Sequence, residues 1–494
     1  MAFNSPFSVI IMKNKYQLKK IFVGCILLIL YSTGCKKFIE VDSPVTSVNE
    51  GNVYTNDNTA ISVLTAIYAE MSTNYNGQFG LTSLSLFPEL SSDNLSLADI
   101  TNENCRPYYE NELNSNGNVG IPPYWAICYQ FIYTTNAAIE GLNRSSELTP
   151  AVKTQLIGEA YFIRAFMYFH LVNLYGDVPL ALSTNYVLNS KLPRTAKSEV
   201  YQQIISDLKQ AQSNLNNDYI DVTLIKKSIE RIRPNRTSAT AMLARTYLYA
   251  GDNVNAELSA TEVISHNAMY QLEEPDKTFL KASKETIWSL QPVILDFNTW
   301  EARQFILPST GPDFDFPFYL SDQLIRKFEP NDKRLEQWTG NVLVGSKKYY
   351  YASKYKAGTS TTVISEFSTV LRLGEQYLIR AEARAKQEKL IGVNSASSDV
   401  NTIRNRAGLL PITSTTKDAI LADIINERQK ELFTEWGHRW FDLKRTDKIN
   451  EVMTMVLPLK KPGGTWKNYM SLYPIPQSEI NRNPALKGMQ NLGY

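Results

Sequence analysis

Apolar side chains recur every three or four positions over most of this chain, and that period predicts helices. Residues 60–71 place Ile61, Leu64, Ile67 and Tyr68 on one face, and residues 124–142 do so with Ile127, Phe131, Ile132, Ala138 and Ile139. The best-defined helix takes Thr149 as its cap and Pro150 in its first turn, where a missing N–H costs nothing, and runs through Leu174 to Gly176. Leu156, Ala160, Ile163, Phe166, Met167, His170, Leu171 and Leu174 fill one broad face, which Tyr161, Phe162, Tyr168 and Phe169 widen almost all round. A helix of that kind belongs inside a multi-helix stack. Residues 198–215, 238–250 and 254–266 continue the pattern. Leu243, Ala244, Tyr247, Ala256 and Ala260 fall at tetratricopeptide spacing, where small residues let two antiparallel helices approach closely.

The period fails twice. Residues 74–123 are rich in Asn, Ser and Gly, and a loop that long in a compact domain is usually functional. Residues 269–368 gain Pro, Gly, Asp and aromatics, with short β-like runs at 286–290 and 348–351. Helices are predicted again over 369–388, 397–407 and 417–436, before an irregular, Pro-containing close at 472–494. The expected fold is mostly α: a scaffold of tetratricopeptide-like helix pairs with a loop-rich, aromatic-rich half and few short strands. Residues 59–268 and 269–494 are read as its two regions.

The N-terminal pattern is different. Lys13, Lys15, Lys19 and Lys20 precede the apolar run 21–31 (IFVGCILLILY), then Ser32, Thr33 and Gly34. That order describes a secretory signal peptide, and the run is shorter than the roughly 20 residues of a spanning helix. Cys35 directly after the small residues resembles a lipobox, in which the cysteine left at the new N-terminus carries acyl chains. Residues 1–34 are therefore expected to be removed, with Met12 as the true start, and residues 35–58 to form a lipidated tether.

Composition narrows the function classes. The sequence has 51 basic and 49 acidic side chains. Four of the lysines leave with the leader, so the rest carries a net charge of −2, and no nucleic-acid partner is expected. Aromatics reach 11%, more than a core needs, and exposed rings are what sugars and protein partners stack on. His170, His266 and His438 are far apart and no CxxC or HExxH spacing occurs, so neither a metal nor a cofactor is expected. Cys105 and Cys128 could pair in an oxidising compartment, or Cys128 could be a small buried hydrophobe on its helix.

The motifs themselves resemble those of SusD/RagB-like lipoproteins. They are GEAYFIRAF at 158–166 running on to LYGDVPL at 174–180, NTIRNRAGL at 401–409, ERQKELF at 427–433 with GHRWFDLKR at 437–445, and YPIP at 473–476 followed by Asn483-Pro484 and Gly493-Tyr494. CKKFIEVD at 35–42 is similar to the family's segment after the lipobox. The resemblance implies a lipid-anchored protein facing outward from the cell outer membrane. It also implies a SusC-like TonB-dependent transporter as partner, an oligosaccharide or a peptide as ligand, and no enzymatic activity. A surface glycosidase is the alternative from another class, since two carboxylates can sit anywhere in a sequence.

Within these blocks, Arg164, Glu427, Arg428, Glu431, Arg439, Asp442 and Arg445 read as an internal ion-pair network, and His170 and His438 as core or interface side chains. In this family the ligand contacts come from the loop-rich half. By location and chemistry the candidates are Asp99, Asn104, Arg106, Tyr108, Tyr109 and Asn111 in the first insertion, and Trp300, Phe314, Tyr319 and Trp338 in the second.

Overall fold

Asn56 accepts a hydrogen bond from the Asn58 N–H and so opens the first helix, α1 (Asp57–Ser72), with Ile61, Leu64 and Ile67 buried. The computed structural model describes residues 52–73, 80–116 and 122–494; the leader, Cys35 and most of the tether lie outside them. Helices α2 (Tyr124–Arg144), α3 (Pro150–Tyr175), α4 (Lys197–Asn214), α5 (Arg236–Ala250) and α6 (Asn253–Ser265) follow, each packed on the next. In α3 nearly every side chain from Leu156 to Tyr175 is buried, as its all-round apolar pattern predicts. Thr149 stands at its N-cap, but its side chain caps nothing; only its carbonyl enters the helix, accepting from the Lys153 N–H.

The α5–α6 pair has tight ends and a tight seam. Asn235 and Ser238 form a reciprocal capping box at the start of α5. Gly251 ends that helix in the left-handed region (φ 84°), and Asp252 caps α6 by accepting from the Asn255 N–H. Ala244, Ala256 and Ala260 are fully buried between them. α6 then packs across the loop-rich segment onto a later helix, α8, defined below.

The loop-rich segment holds a short helix, α7 (Trp300–Phe305), and contributes to three antiparallel strand pairs. β1 (Leu95–Leu97) pairs with β3 (Phe318–Leu320), β2 (Thr286–Leu290) with β6 (Ser368–Arg372), and β4 (Thr339–Val344) with β5 (Lys347–Ala352). Trp288 of β2 joins this half to the scaffold: its ring meets Phe162 and Phe166 of α3 edge-on at 4.9 and 5.4 Å, and its N–H donates to the Ile232 carbonyl. β6 corrects the expectation of a helix over 369–388. Its five residues are buried on both faces, and the helix, α8 (Leu373–Lys386), starts only after them. Likewise 74–123 is not wholly loop: Leu81, Leu84, Leu86, Phe87 and Leu90 are core.

The remaining helices are α9 (Ala396–Arg406), α10 (Lys417–Leu432), α11 (His438–Arg445) and α12 (Ile449–Lys460). α10 stops short of the expected Trp436 because Phe433 turns extended and Thr434 and Trp436 take positive φ. A buried charge network ties these pieces together. Arg372 of β6 meets Glu431 at 2.6 Å, Glu435 at 2.7 Å and Glu285 at 2.9 Å, while Arg334 meets Glu427 at 2.6 Å and Glu431 at 2.9 Å. Arg406 also reaches Glu431. Burial alone would raise the Glu431 carboxyl, but Arg406, Arg372 and Arg334 hold it well below the ordinary value. Arg164 pairs with Asp207, Arg439 with Asp93, Arg428 with Asp442 and Arg445 with Glu382. Paired in this way, buried charges fix one arrangement; removing a single partner is what costs.

Candidate functional site

α7 is the element that builds the site. Thr299 caps it, its hydroxyl accepting from the Ala302 N–H at 3.2 Å, so Trp300 begins the helix. Asn298 staples the preceding turn to the chain ahead of β6: its Oδ1 accepts from the N–H groups of Ser365 and Glu366, and its Nδ2 donates to the Val363 carbonyl. Inside, the Ser368 hydroxyl donates to Glu301 at 2.6 Å, and burial pushes the Glu301 carboxyl up to about 6. Glu301 thus points into the protein while Trp300 and Arg303 remain half-buried.

Two further segments meet α7. The Ala98 N–H donates to the Pro317 carbonyl and prolongs the β1–β3 ladder, which brings Asn102 and Cys105 beside Phe316, Pro317 and Phe318. Asp313 accepts from the N–H groups of Asp315 and Phe316, a turn that leaves Phe314 66% exposed. Glu366 accepts from the N–H groups of Lys356 and Ala357 and sets Gly358 against α7, where a side chain would meet the Ala302 carbonyl at 3.0 Å.

Together these segments line a cavity of about 420 Å³ that is open to solvent, with Phe297, Trp300, Arg303, Gln304, Phe314, Asp315, Phe316, Asn102 and Cys105 among its walls. The Arg303 guanidinium carbon lies 3.9 Å from the Phe297 ring centre and 4.6 Å from that of Trp300. Aromatic faces with a few convergent amides and one guanidinium are the features of a site that stacks and hydrogen-bonds a polar ring. Among the described lining residues Asp315 is the single carboxylate. No group of three or more His, Cys, Asp or Glu that could hold a metal occurs among the described residues.

The sequence candidates divide. Trp300 and Phe314 line this cavity. Tyr108 does not: it is 2% exposed and stacks on Phe87 at 3.9 Å, a core ring drawn inward by the apolar segment 81–90. Trp338 is likewise core, fully buried, with its N–H donating to the Pro275 carbonyl at 2.7 Å. Tyr109 is nearly buried, with the Lys460 ammonium 5.0 Å from its ring. Tyr319 packs edge-on against Tyr349 at 5.1 Å, beside Lys347. Asp99 accepts from both the N–H and the hydroxyl of Thr101 in its own turn, which lowers its carboxyl. Asn104 and Arg106 are exposed on the first insertion. Asn111 is buried and donates to the Ser91 carbonyl, at the edge of a different cavity, of about 410 Å³, that Tyr469 and Tyr494 also line. Sequence reasoning missed Phe297, Arg303, Gln304 and Asn102; the i, i+3, i+6 spacing of Phe297, Trp300 and Arg303 was the available signal.

Cys105 and Cys128 are both free and buried, and burial pushes the Cys105 thiol up to about 12 and raises that of Cys128 as well. Burial lowers His170 to about 3 and lowers His438 too, so both are neutral core side chains at pH 7.

A stack of paired helices with a loop-built, ring-lined cavity on its irregular half defines a helical-scaffold binding fold. A family described as "Starch-binding associating with outer membrane" matches residues 37–248, and the SusD family matches residues 329–494. The chain belongs to the SusD/RagB-like family. It is 27% identical to SusD-like protein P2 of Formosa agariphila over 97% of this chain and 100% of that relative. Among solved structures, surface glycan-binding protein A from Bacteroides uniformis superposes with a TM-score of 0.73 at 21% identity, over 88% of this chain and 99% of the other. A laminarin-binding SusD-like protein gives 0.69 at 23% identity, over 89% and 100%. At those identities the structures establish the fold. Among the described residues no helix is long and apolar enough to cross a membrane.

Proposed function

We propose that this protein is a lipid-anchored glycan-binding protein of the outer cell surface that hands oligosaccharides to a SusC-like TonB-dependent transporter. The observation that carries the reading is the cavity at α7, where Trp300, Phe297 and Phe314 lie beside Arg303, Gln304 and Asn102. Rings of this kind take sugar faces, and the amides and guanidinium take hydroxyls. The family description and the laminarin-binding neighbour support a carbohydrate ligand. Cleavage is a poorer account of the site, because a glycosidase needs two carboxylates about 5–9.5 Å apart and Asp315 has no second acid among the described lining residues.

A panel of oligosaccharides and peptides titrated into the purified protein by calorimetry tests this. Saturable binding of at least one oligosaccharide, without turnover, is expected. Binding of peptides alone, or hydrolysis of a bound glycan, overturns it. Delivery is tested separately by co-purification of the transporter with the tagged protein from solubilised outer membranes.

A further inference from the structure

Arg303 differs from the arginines of the buried charge network. Arg334, Arg372 and Arg406 spend their donors on buried carboxylates. The Arg303 side chain has no carboxylate or carbonyl partner among the described residues; its neighbours are the rings of Phe297 and Trp300. A ring attracts a guanidinium through its π face but offers no strong acceptor, so the N–H fork stays available while the rings restrain where it points. A guanidinium fork matches carboxylate and sulfate bidentately, and an arginine already restrained by stacking loses less freedom on binding than a free one. Arg303 is also half-buried, so water and salt screen it less than they screen Asp315, which is exposed on the same cavity.

We infer that the cavity selects acidic oligosaccharides, with Arg303 receiving a carboxylate or sulfate group while Trp300 and Phe314 stack on the sugar rings. This rests on the glycan-binding reading above. The charge on the ligand, rather than its hydroxyl pattern alone, then decides which saccharides are held.

The test is calorimetry on the full-length protein in detergent with three length-matched sets: neutral, uronic-acid and sulfated oligosaccharides. The wild type should bind one acidic set roughly tenfold or more tighter than the neutral set, in line with a hydrogen bond to a charged group. The uronate and sulfate arms distinguish the two anions. That preference should shrink between about 50 mM and about 500 mM NaCl. In Arg303→Gln the acidic-to-neutral ratio should fall towards one, and Arg303→Lys should restore part of it. Neutral oligosaccharides bound as tightly as acidic ones by the wild type, or an unchanged ratio in Arg303→Gln, overturns the inference and leaves glycan binding standing. Should Arg303→Gln fail to fold, the wild-type ratio and Arg303→Lys decide the matter. Failure of every saccharide to bind the wild type overturns this inference and the reading beneath it together.

Discussion

Glu89 lies fully buried with the Asn94 side chain donating to one carboxylate oxygen, and burial pushes its carboxyl up to about 7. The folded chain therefore holds that proton more tightly than the unfolded one does. The contribution is fully present below the ordinary value of 4.5 and is lost as pH rises through about 7. Glutamine has no such proton to lose, and Asp93, Lys354 and Lys460 face the site in both proteins. Wild-type stability minus that of Glu89→Gln should thus fall by up to about 3 kcal/mol between pH 4.5 and 8, measured by urea unfolding at each pH. Parallel curves for the two proteins would refute it. Trp300 presents the opposite case, a half-buried ring whose neighbour is a guanidinium with no carboxylate partner among the described residues. Trp300→Ala should weaken glycan binding up to about tenfold while the thermal midpoint moves little; unchanged affinity with a midpoint several degrees lower would assign the ring to packing. That Trp300 and Phe314 line the cavity while Tyr108 and Trp338 lie in the core has a simple cause. All four sit in loop-rich composition, but a ring's burial depends on which distant segment covers it: Phe87 for Tyr108, Pro275 and Phe279 for Trp338.

At the level of elements, periodicity located the scaffold helices because each must present a stripe to its neighbour, and it failed where neither face is exposed. Ser368 to Arg372 are buried on both sides, so no alternation marks them as a strand, and their run flows directly into α8. β6 nonetheless carries a residue at the centre of the buried charge network. Arg372 answers Glu285, Glu431 and Glu435 at once. Arg372→Ala should destabilise the protein by about 3–5 kcal/mol in chemical denaturation, since it takes one cation from each of three buried carboxylates. A loss below about 1 kcal/mol would mean that Lys354 and Arg406 neutralise the cluster unaided. The site element α7 was hard to read as a helix, because six residues span less than two turns and leave only the short Phe297, Trp300, Arg303 spacing to mark it.

For the whole molecule, the lipid anchor proposed above would be carried by Cys35, which lies outside the described residues. Metabolic labelling with a palmitate analogue should mark the wild type and miss Cys35→Ala, and label retained in that variant would exclude the anchor. From Val53 onward the chain is one unit whose two ends need each other. Asp93, near the start, is buried against Arg439 and Gln429, 346 and 336 positions later, and the Ser91 hydroxyl meets that of Tyr473. Contacts so distant in sequence form late and slow folding. A ribosome must therefore finish α11 before Asp93 has a cation to meet. A chain cut short before Arg439 leaves Asp93 without the guanidinium that pairs with it.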